Sequence, residues 1–172
     1  LRLAASVVFQ DKTLFRQCTD ELRSWIDRIH PEGYIKEFVD RSMDDEAYLR
    51  EFRFVRTIVL SAEIAFHAGD NLWSYASRGG VSIATSVSYV LFYYYYPEKW
   101  IWDAGLTEEA VQELFATHGA FMEIANKRVE PRGIELLLED QRPMFDLYGG
   151  GCTSLTHFHA KQKKRRSLFD WF

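Results

Sequence analysis

Long apolar runs are missing from this sequence. No stretch reaches the roughly 18 residues that a membrane-spanning helix needs. The nearest, Val81 to Tyr96, is interrupted by Ser82, Thr85, Ser86 and Ser88 and reads as a buried helix. No membrane partner is expected. Cysteine is scarce: Cys18 and Cys152 stand alone, fit no metal spacing and form no disulfide framework, and whether they bridge each other is open. A strong charge of one sign is also missing. The formal net charge of -4 is too mild for a nucleic-acid or membrane surface, so no nucleic-acid partner is expected. The exception is Lys161-Gln162-Lys163-Lys164-Arg165-Arg166, which reads as a solvated tail or as a contact for a polyanion. Gly149-Gly150-Gly151 lacks the Gly-Lys-Ser/Thr ending of a phosphate loop, so these glycines read as positions of tight backbone packing. His157 and His159 have no carboxylate nearby at ligand spacing, so neither a metal nor another cofactor is expected.

Hydrophobic residues are abundant, at 47%, and aromatics reach 16%, enough to bury a sizeable core in one domain over residues 1–172. The apolar residues recur at helical spacing. Asp11 or Thr13 can cap a helix whose stripe is Leu14, Phe15, Cys18, Leu22, Trp25, Ile26 and Ile29, ended by Pro31 and Gly33. A longer helix starts near Asp44, with Tyr48, Phe52, Val55, Val59, Ala62 and Phe66 on one face and Gly69 as its stop. A third helix runs from about Gly80 to Tyr95 and halts at Pro97. A fourth opens at Thr107 and carries Val111, Leu114, Phe115, His118, Met122 and Ala125 in one stripe. A short helix follows Pro131, and the pattern is lost from about residue 141. No convincing strand pattern is present, although Tyr93 to Tyr96 has β propensity. Short links between amphipathic helices predict an all-α fold of antiparallel hairpins, either a closed bundle or part of an α/α toroid. Leu1 to Phe9 reads as the last turns of a helix with no start signal, so the chain is expected to be a fragment of a larger domain. Such a fragment would expose an apolar face where its upstream hairpins belong.

Three groups of residues could carry chemistry. The loop from Pro31 to Arg41 precedes a helix that holds Tyr48. Arg41 could pin a carboxylate through its guanidinium fork, and Tyr48 could give or take a proton. The same residues also read as a surface charge and the first core position of a stripe. Tyr48 would need a cation such as Arg41, Arg50 or Arg53 nearby to act as a base. Trp73 and Trp102 could stack on sugar faces or plug the ends of hairpins. Arg23 and His30 have the Arg-x6-His spacing of HEPN-type ribonucleases, a short pattern that helices produce often by chance.

Taken together, the segments Gly33 to Arg41, Tyr48, Ile58 to Ala65, Gly69-Asp70-Asn71-Leu72-Trp73, Gly79 to Ile83 and Trp100-Ile101-Trp102 resemble the alginate lyase family over about residues 1–105. The resemblance implies one α/α-toroid domain, of which this chain is the C-terminal part, and a secreted or periplasmic protein. It implies β-elimination on a uronate-containing acidic polysaccharide, with Tyr48 and Arg41 catalytic and Arg50, Arg53, Trp73 and Trp102 binding substrate. The family's Asn-Asn-His-type motif does not occur in this chain and is expected upstream of Leu1, in the other half of the domain. A non-catalytic carbohydrate-binding or scaffold module and a helical ribonuclease are the alternatives.

Overall fold

The structure is a computed structural model describing residues 1–39, 46–102 and 105–158. Among these residues it is all-α, and the only strand-like pairing is a single bridge between Asp146 and Gly151. The helices are α1 (Arg2–Val8), α2 (Lys12–Asp27), α3 (Lys36–Val39), α4 (Ala47–His67), α5 (Ile83–Tyr95), α6 (Glu108–His118), α7 (Phe121–Val129), α8 (Ile134–Gln141) and α9 (Thr153–His157). No helix of the described residues is long and apolar enough to cross a membrane.

The caps follow the local chemistry. Asp11 accepts from the backbone N–H groups of Thr13 and Leu14 at 3.0 and 2.9 Å, which satisfies two orphan donors at the start of α2. Ser82 and Thr85 form a reciprocal capping box at α5, and Thr107 caps α6. Beyond the end of α4, Asp70 takes both terminal donations of Arg23 NH2 at 2.6 and 2.8 Å, which ties that end to α2.

α4 is the central element. Tyr48, Phe52, Val55, Val59 and Ala62 are buried as their spacing predicts, but Phe66 is exposed and lies under the Arg128 guanidinium. Phe52 sits edge-on to Phe115 and Phe121, at 4.9 and 5.2 Å between centroids, and so joins α4 to α6 and α7. The expected single helix from Thr107 is in fact two, with a break at Gly119. A Cβ there would lie 2.4 Å from the Phe115 carbonyl oxygen and 3.1 Å from Met144, so only glycine allows that approach. The tail from 141 is also less irregular than its composition predicts. It closes a tight loop through the Asp146–Gly151 bridge and adds α9, whose Thr153 hydroxyl donates to the Ala120 carbonyl at 2.6 Å.

Polar networks hold the later helices to α4. Burial pushes the Glu63 carboxyl up, but two hydrogen bonds from Arg128 and one shared with His157 outweigh it and bring it down to about 2. Cys18 is buried, Cys152 is partly buried, and the two are not bridged.

Candidate functional site

The α1–α2 hairpin packs on α4 and, with α3, leaves a groove of about 620 Å3. Its apolar lining includes Leu3, Cys18, Leu22 and Ile58, and its rings are Trp25, Phe38 and Phe54. Trp25 and Phe38 stack at 5.9 Å, while Phe54 is tilted against both, at 6.0 and 5.5 Å. The Arg28 guanidinium lies 4.3 Å from the Trp25 ring. Three arginines, Arg2, Arg50 and Arg53, line the groove against one acid, Glu21. Arg2 and Glu21 approach each other at 3.5 Å, and both are exposed. Arg50 is half-buried and donates through Nε to the Phe38 carbonyl at 3.0 Å, which holds α3 to α4. Arg53 is exposed, lines the groove and makes no ion pair among the described residues. Rings beside an unengaged guanidinium suit a ligand that is both saccharide-like and anionic.

Of the residues the sequence singles out, Arg50 and Arg53 come together in this groove, and Trp73 and Trp102 do not line it. Trp73 is half-buried against the core, and its indole N–H is buried without a hydrogen-bond partner. Trp102 donates to the Tyr89 hydroxyl at 3.1 Å and packs on Tyr34, so it closes the end of a hairpin. Arg41 lies outside the described residues, as do Asp44 and the basic run from Lys161.

Tyr48 has a structural place. It is 2% exposed, its ring meets Trp100 edge-on, and its hydroxyl donates to the Val90 carbonyl at 2.8 Å. Burial, with the neighbouring Tyr89, pushes its phenol well above the ordinary value. A base needs the ionised form and access to substrate, and this position opposes both. The placement accords with Tyr48 as a core residue of α4. Arg23 and His30 are both engaged within the fold. Arg23 is taken up by Asp70 and Asp20, and His30 stacks on Tyr34 at 4.4 Å beyond the end of α2.

Sequence reasoning missed Trp25, Phe38 and Phe54. Trp25 fell in the α2 stripe and read as core. The only available signal was that Phe54 and Arg53 lie off the buried stripe of α4, on the face its neighbours leave open.

A second feature lies where the Pro31 to Ile35 turn meets α4 and α5. The Pro31 to Ile35 turn reaches α5 so closely that a Cβ on Gly33, whose φ is +113°, would lie 2.6 Å from Tyr89 Cβ. Ser86 donates to the Gly33 carbonyl at 2.6 Å. This places the Ile35 N–H 3.1 Å from Glu51 Oε2, while Glu51 Oε1 is buried without a hydrogen-bond partner. Burial pushes the Glu51 carboxyl up to about 8, against a smaller opposing effect of the Ile35 hydrogen bond. Glu51 thus keeps its proton further up the pH range than an ordinary carboxyl does.

A family model described as Alginate lyase matches residues 1–100, more than half of the chain. No curated protein and no solved structure matches.

Proposed function

The chain belongs to the alginate lyase family, and from that premise we propose that it contributes a substrate groove for cleavage of a uronate-containing acidic polysaccharide. The observation that carries this reading is the unengaged Arg53 beside the Trp25, Phe38 and Phe54 rings in the α1–α2–α4 groove. In β-elimination a base removes the proton on C5 of the uronate. The electron pair forms the C4–C5 double bond, and the C4–O bond breaks. The leaving oxygen takes a proton. Removal of the C5 proton is easier when the adjacent carboxylate is neutralised, and a guanidinium does this through two parallel hydrogen bonds. Arg53 supplies that charge, and Arg50 fixes the wall beside it. The ring faces orient the sugar.

The described lining contains no tyrosine or histidine. The base is therefore assigned to residues outside it, with the family's Asn-Asn-His-type motif as the source. The helical hairpins would form the later part of an α/α toroid in a secreted or periplasmic protein. A second reading, in which the same rings and Arg53 hold the polymer, is a carbohydrate-binding module without turnover.

Incubation of the protein with polyuronate, with a neutral polysaccharide and with RNA separates these readings. The lyase reading predicts a rise in unsaturated-uronate absorbance with the polyuronate alone. Retention of the polymer without that rise supports the binding reading, and neither signal contradicts both.

A further inference from the structure

A cleft between α5 and the α7–α8 turn takes no part in the reading above. At the C-terminal end of α5, Phe92 and Tyr95 come together with Tyr96, the residue that caps the helix. They are 41%, 38% and 45% exposed. The Phe92 and Tyr96 rings lie 5.1 Å apart at 38°, and the Lys99 ammonium lies 4.3 Å from the Tyr96 centroid and 5.4 Å from that of Phe92. The Tyr95 hydroxyl donates to the Gly133 carbonyl at 2.8 Å, which fixes the turn at the start of α8. With Ser88, Arg132 and the turn itself these residues line about 510 Å3.

Exposed aromatic faces at this density mark a contact surface rather than ordinary exterior. The lining carries one guanidinium and no carboxylate, and the Lys99 ammonium lies over two of its rings. An apolar helix would leave those cations and the Ser88 hydroxyl without partners. A sugar ring presents C–H faces to aromatic rings, hydroxyls to Ser88 and, if it is a uronate, a carboxylate to Arg132.

We propose that this cleft is a second saccharide-binding site for an acidic sugar unit, with Tyr96 and Phe92 as the stacking platform and Arg132 and Lys99 as carboxylate contacts. The choice of acidic sugar rests on the function proposed above, whereas the cleft is made of residues that the groove does not use.

Affinity electrophoresis in gels containing polyuronate tests this, with a neutral-polysaccharide gel as control. Tyr96→Ala and Arg132→Ala are each expected to weaken retention several-fold while keeping the wild-type unfolding midpoint, and to leave migration in the neutral gel unchanged. If both variants are retained like wild type while Arg53→Ala is not, the second site is refuted and the groove reading stands. If Tyr96→Ala loses retention while Arg53→Ala keeps it, the cleft stands and the groove reading falls. Equal weakening in both gels would overturn the acidic-sugar assignment.

Discussion

Arg142→Met should destabilise the protein by about 3–5 kcal/mol, the usual consequence of leaving one member of a buried ion pair without its partner. Arg142 donates to both oxygens of Glu123 at 2.7 and 2.9 Å, and Glu123 is fully buried. The same carboxylate accepts from Ser154, and Ser154 accepts from the Met144 N–H, so α7, α8 and the segment leading into α9 meet at one charge. The guanidinium also lies 4.6 Å from the Phe158 ring. Adding Glu123→Leu to Arg142→Met removes the stranded charge and should recover most of the loss, because an apolar pair of similar volume is often neutral. Urea unfolding of the single and double variants measures both effects. A loss below about 1 kcal/mol in the single variant, or additive losses in the double, would show that this pair does not hold the later helices together.

The second large effect is a pH dependence carried by Glu51. Its carboxyl ordinarily ionises near 4.5, and burial raises it in the folded protein to about 8. Below pH 4.5 both folded and unfolded states are protonated, and the contribution to stability is fully present. As pH rises the unfolded chain gives up its proton first, so stability falls by about 1.4 kcal/mol per pH unit until the folded carboxyl also ionises near 8. Over that window the loss is on the order of several kcal/mol. Glu51→Gln carries no titrating proton and still offers an oxygen to the Ile35 N–H. Its buried amide N–H has a cost, but one that is the same at every pH. The difference in unfolding free energy between variant and wild type should therefore move in favour of the variant by about 3 kcal/mol or more between pH 5 and pH 8. Parallel stability profiles across that range would show that Glu51 ionises at its ordinary pH and is hydrated.

Where a helix carries a stripe and a cap together, the chain announces its fold. Asp11 and the 4-3-4-3 spacing of α4 appear in the structure as the periodicity predicts, and the α2 stripe buries Cys18 and Ile26 while Leu22 and Trp25 line the groove. Gly119 shows the limit. Met122 and Ala125 continue the stripe of α6 without a step, and the break comes from contact with the Phe115 carbonyl and Met144, which no local pattern records. α3 and α9, at four and five residues, are too short to show a period. The site divides in the same way. Tyr48 lies on the buried stripe, and its spacing alone places it in the core, where its hydroxyl satisfies Val90. The groove draws on α1, α2, α3 and α4, so its rings gather only on folding. Arg50 and Arg53 could be picked out beforehand as cations near the start of α4, but the rings that line the groove with Arg53 could not.

Equilibrium binding of polyuronate to the wild-type protein, Arg53→Ala and Tyr48→Phe, at one fixed ionic strength, bears most directly on where the acidic polymer sits. The groove assignment predicts that Arg53→Ala weakens binding about tenfold or more, as expected for loss of a charge-assisted bidentate contact. It predicts that Tyr48→Phe binds within about twofold of wild type while losing about 1 kcal/mol of stability with its buried hydrogen bond. Unchanged binding by Arg53→Ala, with binding lost in a folded Tyr48→Phe, would contradict the assignment and return the polymer to the tyrosine.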